Sequence, residues 1–197
     1  MQNLLNQYFN IAFLMGKPQD LPGSYQVMKV GVMLAFVTYV LALSVPYGLQ
    51  RALIQVVIDL SSTAFVFYIA LLAVGKQTRF QQAFGGLCGA SAFINAVALP
   101  LYMFRTENNA AQGVSIAQVA DFVLLVWGLS LLGHIIRHTF EVGMFLSIAL
   151  SFTYFIYLSS LVTAVLPVSV VTEDQISVLD FDSLFAAYHW MGHRLSG

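Results

Sequence analysis

Apolar residues along this chain come in five runs long enough to cross a bilayer, and each run is closed by Pro, Gly or a charge. The runs cover about 25–45, 49–74, 80–104, 116–136 and 142–166. A helix rises 1.5 Å per residue, so about 20 residues cross the roughly 30 Å hydrocarbon layer. The first run stops at Pro46, the second at Gly75-Lys76, the third at Arg105, the fourth at Arg137-His138 and the fifth at Pro167. These residue types suit helix ends where the backbone returns to water. A polar loop, Thr106-Glu107-Asn108-Asn109, separates the third and fourth runs. The pattern predicts an all-α polytopic membrane protein: a five-helix transmembrane bundle over residues 1–167, with short amphipathic interfacial helices at both termini.

The segment from Leu4 to Met15 is too short to span. Asn3, Asn6, Gln7 and Asn10 recur at helical spacing opposite Leu5, Phe9, Ala12 and Phe13. That spacing predicts an amphipathic helix over 3–15 lying at headgroup level. Its polar face carries no charge, so attraction to anionic lipid adds little. Gly16-Lys17-Pro18 and Leu21-Pro22-Gly23 predict a rigid turn into the first span. The first basic residue, Lys17, follows the N-terminal apolar stretch instead of preceding it, so the start is expected to be retained and not cleaved as a signal. Residues 168–197 read as a polar linker and a second amphipathic helix, with Phe181, Leu184, Phe185, Tyr188, Met191 and Leu195 on one face.

Composition agrees with this layout. Of 197 residues, 59% are apolar and only 9% are charged, against about 25% charged in an ordinary soluble domain. So few charges cannot cover a water-facing surface, and the lipid bilayer is the expected partner. A net charge of −1 argues against a nucleic-acid binder or a polybasic anchor. Cys88 is the single cysteine, which rules out a disulfide framework within one chain. Lys17, Lys29, Lys76, Arg79 and Arg137 fall on the N-terminal side of a five-span chain, and Arg51, Arg105 and Arg194 on the other. The excess predicts the N-terminus inside and the C-terminus outside.

Asp59 is the most informative side chain. It stands about ten residues into the second span, roughly 15 Å deep at the helical rise. An acid there costs about 2.5–3.5 kcal/mol on insertion scales, so it should face the bundle or be protonated. Gln55, Ser62 and Thr63 share its helix face, and Asn95 on the antiparallel third span reaches the same level. Thr38, Tyr39, Trp127 and Tyr157 lie within about a turn of that level. A hydrogen-bonded polar layer around Asp59, Asn95, Gln55 and Thr63 is therefore expected. It would serve either as a structural layer fixing helix register or as a proton or small-solute pathway.

Asp121 sits near the start of the fourth span, where the positive end of the helix dipole favours a carboxylate. His134 and His138, and again His189 and His193, stand four apart. Two imidazoles do not make a metal site, and no supporting Glu or Cys lies at ligand spacing. Gly85 and Gly89 form a small-xxx-small stripe in the third span, which permits close helix packing within the chain or between copies. No phosphate-binding loop, dinucleotide fingerprint or nucleophile elbow is present. No enzyme activity, metal or cofactor is expected.

Three features carry a family resemblance. The N-terminal helix runs into Gly16-Lys17-Pro18-Gln19-Asp20-Leu21-Pro22 before the first span. Gly75-Lys76 leads to the small-residue run Gly85 to Ser91. Trp127 lies deep in the fourth span, within Trp127-Gly128-Leu129-Ser130-Leu131. Over residues 1–167 the chain resembles bacterial members of the Yip domain family, five-span membrane proteins whose eukaryotic relatives bind Rab-type GTPases. The resemblance implies a non-enzymatic adaptor or organiser in a bacterial inner membrane, acting through helix packing with other membrane proteins or as a homo-oligomer. The alternative from the residues themselves is a small transporter, channel or lipid-handling protein using the layer at Asp59.

Overall fold

The computed structural model describes residues 4–105 and 116–166. Among these, six α-helices follow one another: α1 Leu4–Ala12, α2 Tyr25–Tyr47, α3 Leu49–Ala73, α4 Phe80–Arg105, α5 Ile116–Phe140 and α6 Met144–Val165. The last five are long and apolar enough to cross a membrane. The protein is an all-α five-helix bundle and an integral membrane protein. The loop Thr106–Asn109 and the C-terminal helix expected beyond residue 167 lie outside the described residues.

The helix ends follow local chemistry. Ser24 caps α2, its Oγ accepting from the Val27 N–H at 3.2 Å. α2 runs through Pro46 to Tyr47, one turn's fraction beyond its expected stop. Gly48 then reverses the chain alone, at φ +80°, a conformation that favours glycine. α5 continues past Arg137 and His138 to Phe140. Its terminal carbonyls explain the extension. Lys76 Nζ donates to Phe140 O and Arg79 donates to Thr139 O, both at 3.3 Å, and cations suit a helix C-terminus.

α4 is the central helix, and its face against α2 is the most extensive helix contact. Glycine makes that approach possible. A methyl on Gly31 would sit 2.6 Å from the carbonyl oxygen of Gly85, and one on Gly85 would sit 2.9 Å from Met28 Cα. α6 lies on the outside against α5, with Ser147 and Ser151 facing Gly133. Each serine satisfies its hydroxyl on its own helix, through Met144 O and Ile148 O. Large apolar side chains point outward all round the bundle, Phe145 being 90% exposed and Phe65 and Phe122 each 65%. That outward surface is what lipid-facing helices need.

The face of α1 that meets the bundle is turned from the expected apolar face of Leu5, Phe9, Ala12 and Phe13. Tyr8, Ile11 and Ala12 are buried, while Leu5, Phe9 and Phe13 are exposed. The ring of Phe13 meets Trp127 and the ring of Phe9 meets Phe93. Trp127 stands about 13 residues, or roughly 20 Å, from the end of α5 at Phe140. α1 therefore packs against both α4 and α5. Gly89 supplies the opening, since a methyl there would lie 2.2 Å from the Tyr8 ring.

Candidate functional site

The polar groups of the spans fall into three sets. The first holds α1. The Tyr8 hydroxyl donates to Val27 O at 2.6 Å, Trp127 Nε1 donates to Ala12 O at 2.7 Å, and His134 Nε2 meets Gly16 O at 2.8 Å. Trp127 and His134 thereby partner carbonyls that the end of the short helix and the turn after it would leave bare, and Tyr8 ties α1 to the first turn of α2. Trp127 thus serves α1, not the layer at Asp59. His138 stacks edge-on against His134 at 4.5 Å between ring centres. Among the described residues no group of three or more His, Cys, Asp or Glu gathers as metal ligands. His189 and His193 lie outside them.

The second set surrounds Asp59, which is 5% exposed and faces the bundle. The Tyr39 hydroxyl from α2 donates to Asp59 Oδ2, while Oδ1 is buried without a hydrogen-bond partner. Thr63 Oγ1 donates back to Asp59 O at 2.6 Å and lies 2.6 Å from the Tyr154 hydroxyl of α6. The layer therefore joins α2, α3 and α6. Asn95 and Gln55, expected in it, are half-buried, and among the described residues neither is hydrogen-bonded to Asp59. Thr38 turns to its own backbone at Leu34 O. Gly85 and Gly89 are both occupied within the chain, by α2 and by Tyr8. Asp121 is buried in the second turn of α5.

Below this layer lies a feature that residue-by-residue reading misses. An apolar groove of about 700 Å³ opens between α3, the end of α5 and α6, lined by Ala70, Ala73, Phe140, Leu150, Tyr154 and Tyr157 among others. Its volume falls in the range of roughly 300–1,000 Å³ typical of small-molecule sites. Thr63, Phe67 and Ala70 share one stripe of α3. The polar contact to Tyr154 closes the inner end, and the small Ala70 and Ala73 leave space toward the outer end. Along α3 the lining runs from Val66 to Val74, about 12 Å at the helical rise.

The third set stands at the outer end of that groove, beside Val74, Phe140 and Val142. Glu141, in the short turn between α5 and α6 at φ +61°, accepts from Lys76 at 2.7 Å and from Arg79 at 2.6 Å. Those two cations hold its carboxyl down at about 2. Since the folded value lies below the unfolded one, the pairing stabilises the turn above pH 4.5 and is lost as pH falls through about 2. We expect a carboxyl chemical-shift titration of Glu141 to have its midpoint near that low value. A midpoint close to 4.5 would show that the pairs do not persist in solution.

No protein-family model matches the chain, and neither does any curated protein or solved structure.

Proposed function

We propose that this integral membrane protein is non-catalytic and handles lipid, holding the acyl chain of a bilayer lipid in the groove between α3, α5 and α6. The groove itself carries the reading. It is apolar, its α3 wall runs from Val66 to Val74 at the end of a helix long and apolar enough to span, and Tyr154, whose hydroxyl meets Thr63, stands among its lining residues. In a bilayer the species that reaches such a groove is a lipid chain, and dispersion contacts along its wall would hold it. The same reading places the end bearing Lys17, Lys29, Lys76, Arg79 and Arg137 on the cytoplasmic side of a bacterial inner membrane.

The test fills the groove. Ala70→Trp puts an indole into its centre without touching the layer at Asp59. Protein purified in mild detergent should carry a lipid visible by native mass spectrometry, and its retention should fall about tenfold in Ala70→Trp, as a loss near 1.4 kcal/mol implies. Undiminished retention in that variant would refute the reading.

An adaptor role of the kind the Yip resemblance implies is the second reading. It is favoured by the outer face of α6, where Met144, Phe145, Leu146 and Phe152 are exposed. A partner helix or a second copy would cover that face. The Gly85–Gly89 stripe does not support it, being filled from within the chain.

A further inference from the structure

We infer that the mouth of the groove selects anionic glycerophospholipids, whose phosphate binds Lys76 and Arg79 in place of Glu141 while the chain lies along Ala73 and Ala70. This rests on the lipid-handling reading above. Three observations lead to it. The cations stand beside the groove where α3 and α5 end: Lys76 follows the lining residue Val74 by two positions and donates to the carbonyl of Phe140, itself part of the wall.

Charge comes next. Two cations share a single carboxylate, so this knot keeps a net positive charge at the one place where a lipid held in the groove would present its head. A head of net negative charge is drawn to such a site, a basic residue near an anionic surface being worth about 1 kcal/mol.

The third observation is that Glu141 is open to exchange. Its side chain is 58% exposed, so a phosphate can reach both cations, and it offers them more acceptor oxygens than the carboxylate does. Arg79 and Lys76 also keep hold of the α5 carbonyls at Thr139 and Phe140, so the cations stay in place when the carboxylate swings away. A zwitterionic lipid brings its own ammonium or choline cation toward Lys76 and Arg79 and gains less. Glu141 thus acts as a resident substitute for the phosphate when the groove is empty.

The experiment reconstitutes the full chain in nanodiscs of equimolar phosphatidylglycerol and phosphatidylcholine with identical acyl chains. The lipids retained after release into mild detergent are then counted by native mass spectrometry. The wild type is expected to retain phosphatidylglycerol about fivefold over phosphatidylcholine, the factor that one favourable interfacial cation supplies. Lys76→Gln with Arg79→Gln should bring the ratio to about one while a lipid is still retained. That double variant also removes two ties to α5, so Glu141→Gln provides an independent arm. It frees both cations without removing either, and it should raise the preference above that of the wild type.

Equal retention of the two lipids by the wild type, with both lost in Ala70→Trp, would overturn the headgroup inference and leave the groove standing. A preference that survives removal of both cations, or is unmoved by Glu141→Gln, would overturn it too. Retention of neither lipid by the wild type would remove the groove reading and this inference together. A preference that persists in Ala70→Trp would assign it to the general basic surface of Lys17, Lys29 and Arg137, against the inference.

Discussion

Gly31→Ala is expected to lower the melting temperature of the detergent-solubilised protein by about 2–12 °C, through a loss of about 1–3 kcal/mol. The added methyl would stand 2.6 Å from the carbonyl oxygen of Gly85 and 3.2 Å from the Gly89 nitrogen. Both are backbone atoms of α4, which cannot rotate aside as a side chain can. Relief requires α2 and α4 to separate along their whole contact, which forfeits dispersion at every pair between them. Gly85→Ala meets Met28 Cα at 2.9 Å and should cost a similar amount. Gly128→Ala is the control, since nothing lies within 4 Å of the position its methyl would take. That substitution in an open helical site should be neutral or slightly stabilising, because alanine is the better helix former. Equal melting temperatures for Gly31→Ala and Gly128→Ala would refute the close α2–α4 approach.

The contrast between those glycines shows what the sequence could and could not reveal. Length and hydropathy alone locate five spans, because only an uninterrupted apolar run of about 20 residues can cross hydrocarbon. Helix ends were less legible: α5 passes through Arg137 and His138 because Lys76 and Arg79, some sixty positions earlier, reach its last carbonyls. Periodicity placed Asp59 toward the interior correctly, since burial of an acid depends on which face of its own helix it occupies. Its partners depended instead on which helices become neighbours. Depth alone pointed to Asn95, with Tyr39 and Trp127 within about a turn of the same level, and packing brought Tyr39 to Asp59 while sending Trp127 to α1. The small-residue run signalled close approach but not the object approached. Gly89 receives Tyr8 from a helix whose polar stripe of Asn6, Gln7 and Asn10 reads as surface-bound. The groove left no mark in any single segment, because a void belongs to three helices at once.

Tyr39→Phe is expected to destabilise the bundle by about 1–3 kcal/mol, although it removes a single oxygen. In hydrocarbon no water replaces a lost partner. Asp59 Oδ1 is already buried without one, and the Tyr39 hydroxyl is the only side-chain group bonded to Oδ2 among the described residues. Phenylalanine would leave a buried carboxyl with neither oxygen satisfied. Asp59→Leu leaves the opposite orphan, the Tyr39 hydroxyl, and should cost somewhat less because a hydroxyl is cheaper to bury than a carboxyl. The double variant removes both needs together. It should therefore be more stable than the sum of the single losses implies, by about 1 kcal/mol or more, the mark of two groups that matter only to each other. Asp59→Asn separates bond from acidity. Its amide oxygen still accepts from Tyr39, so the fold should hold nearly unchanged, and any proton- or solute-coupled flux in liposomes that stopped with it would require the acid itself. Additive losses for Tyr39→Phe and Asp59→Leu in a thermal-unfolding cycle would show that the two side chains are not paired in the bilayer-spanning protein, and the layer would then have to be assigned to Thr63 and Tyr154 alone.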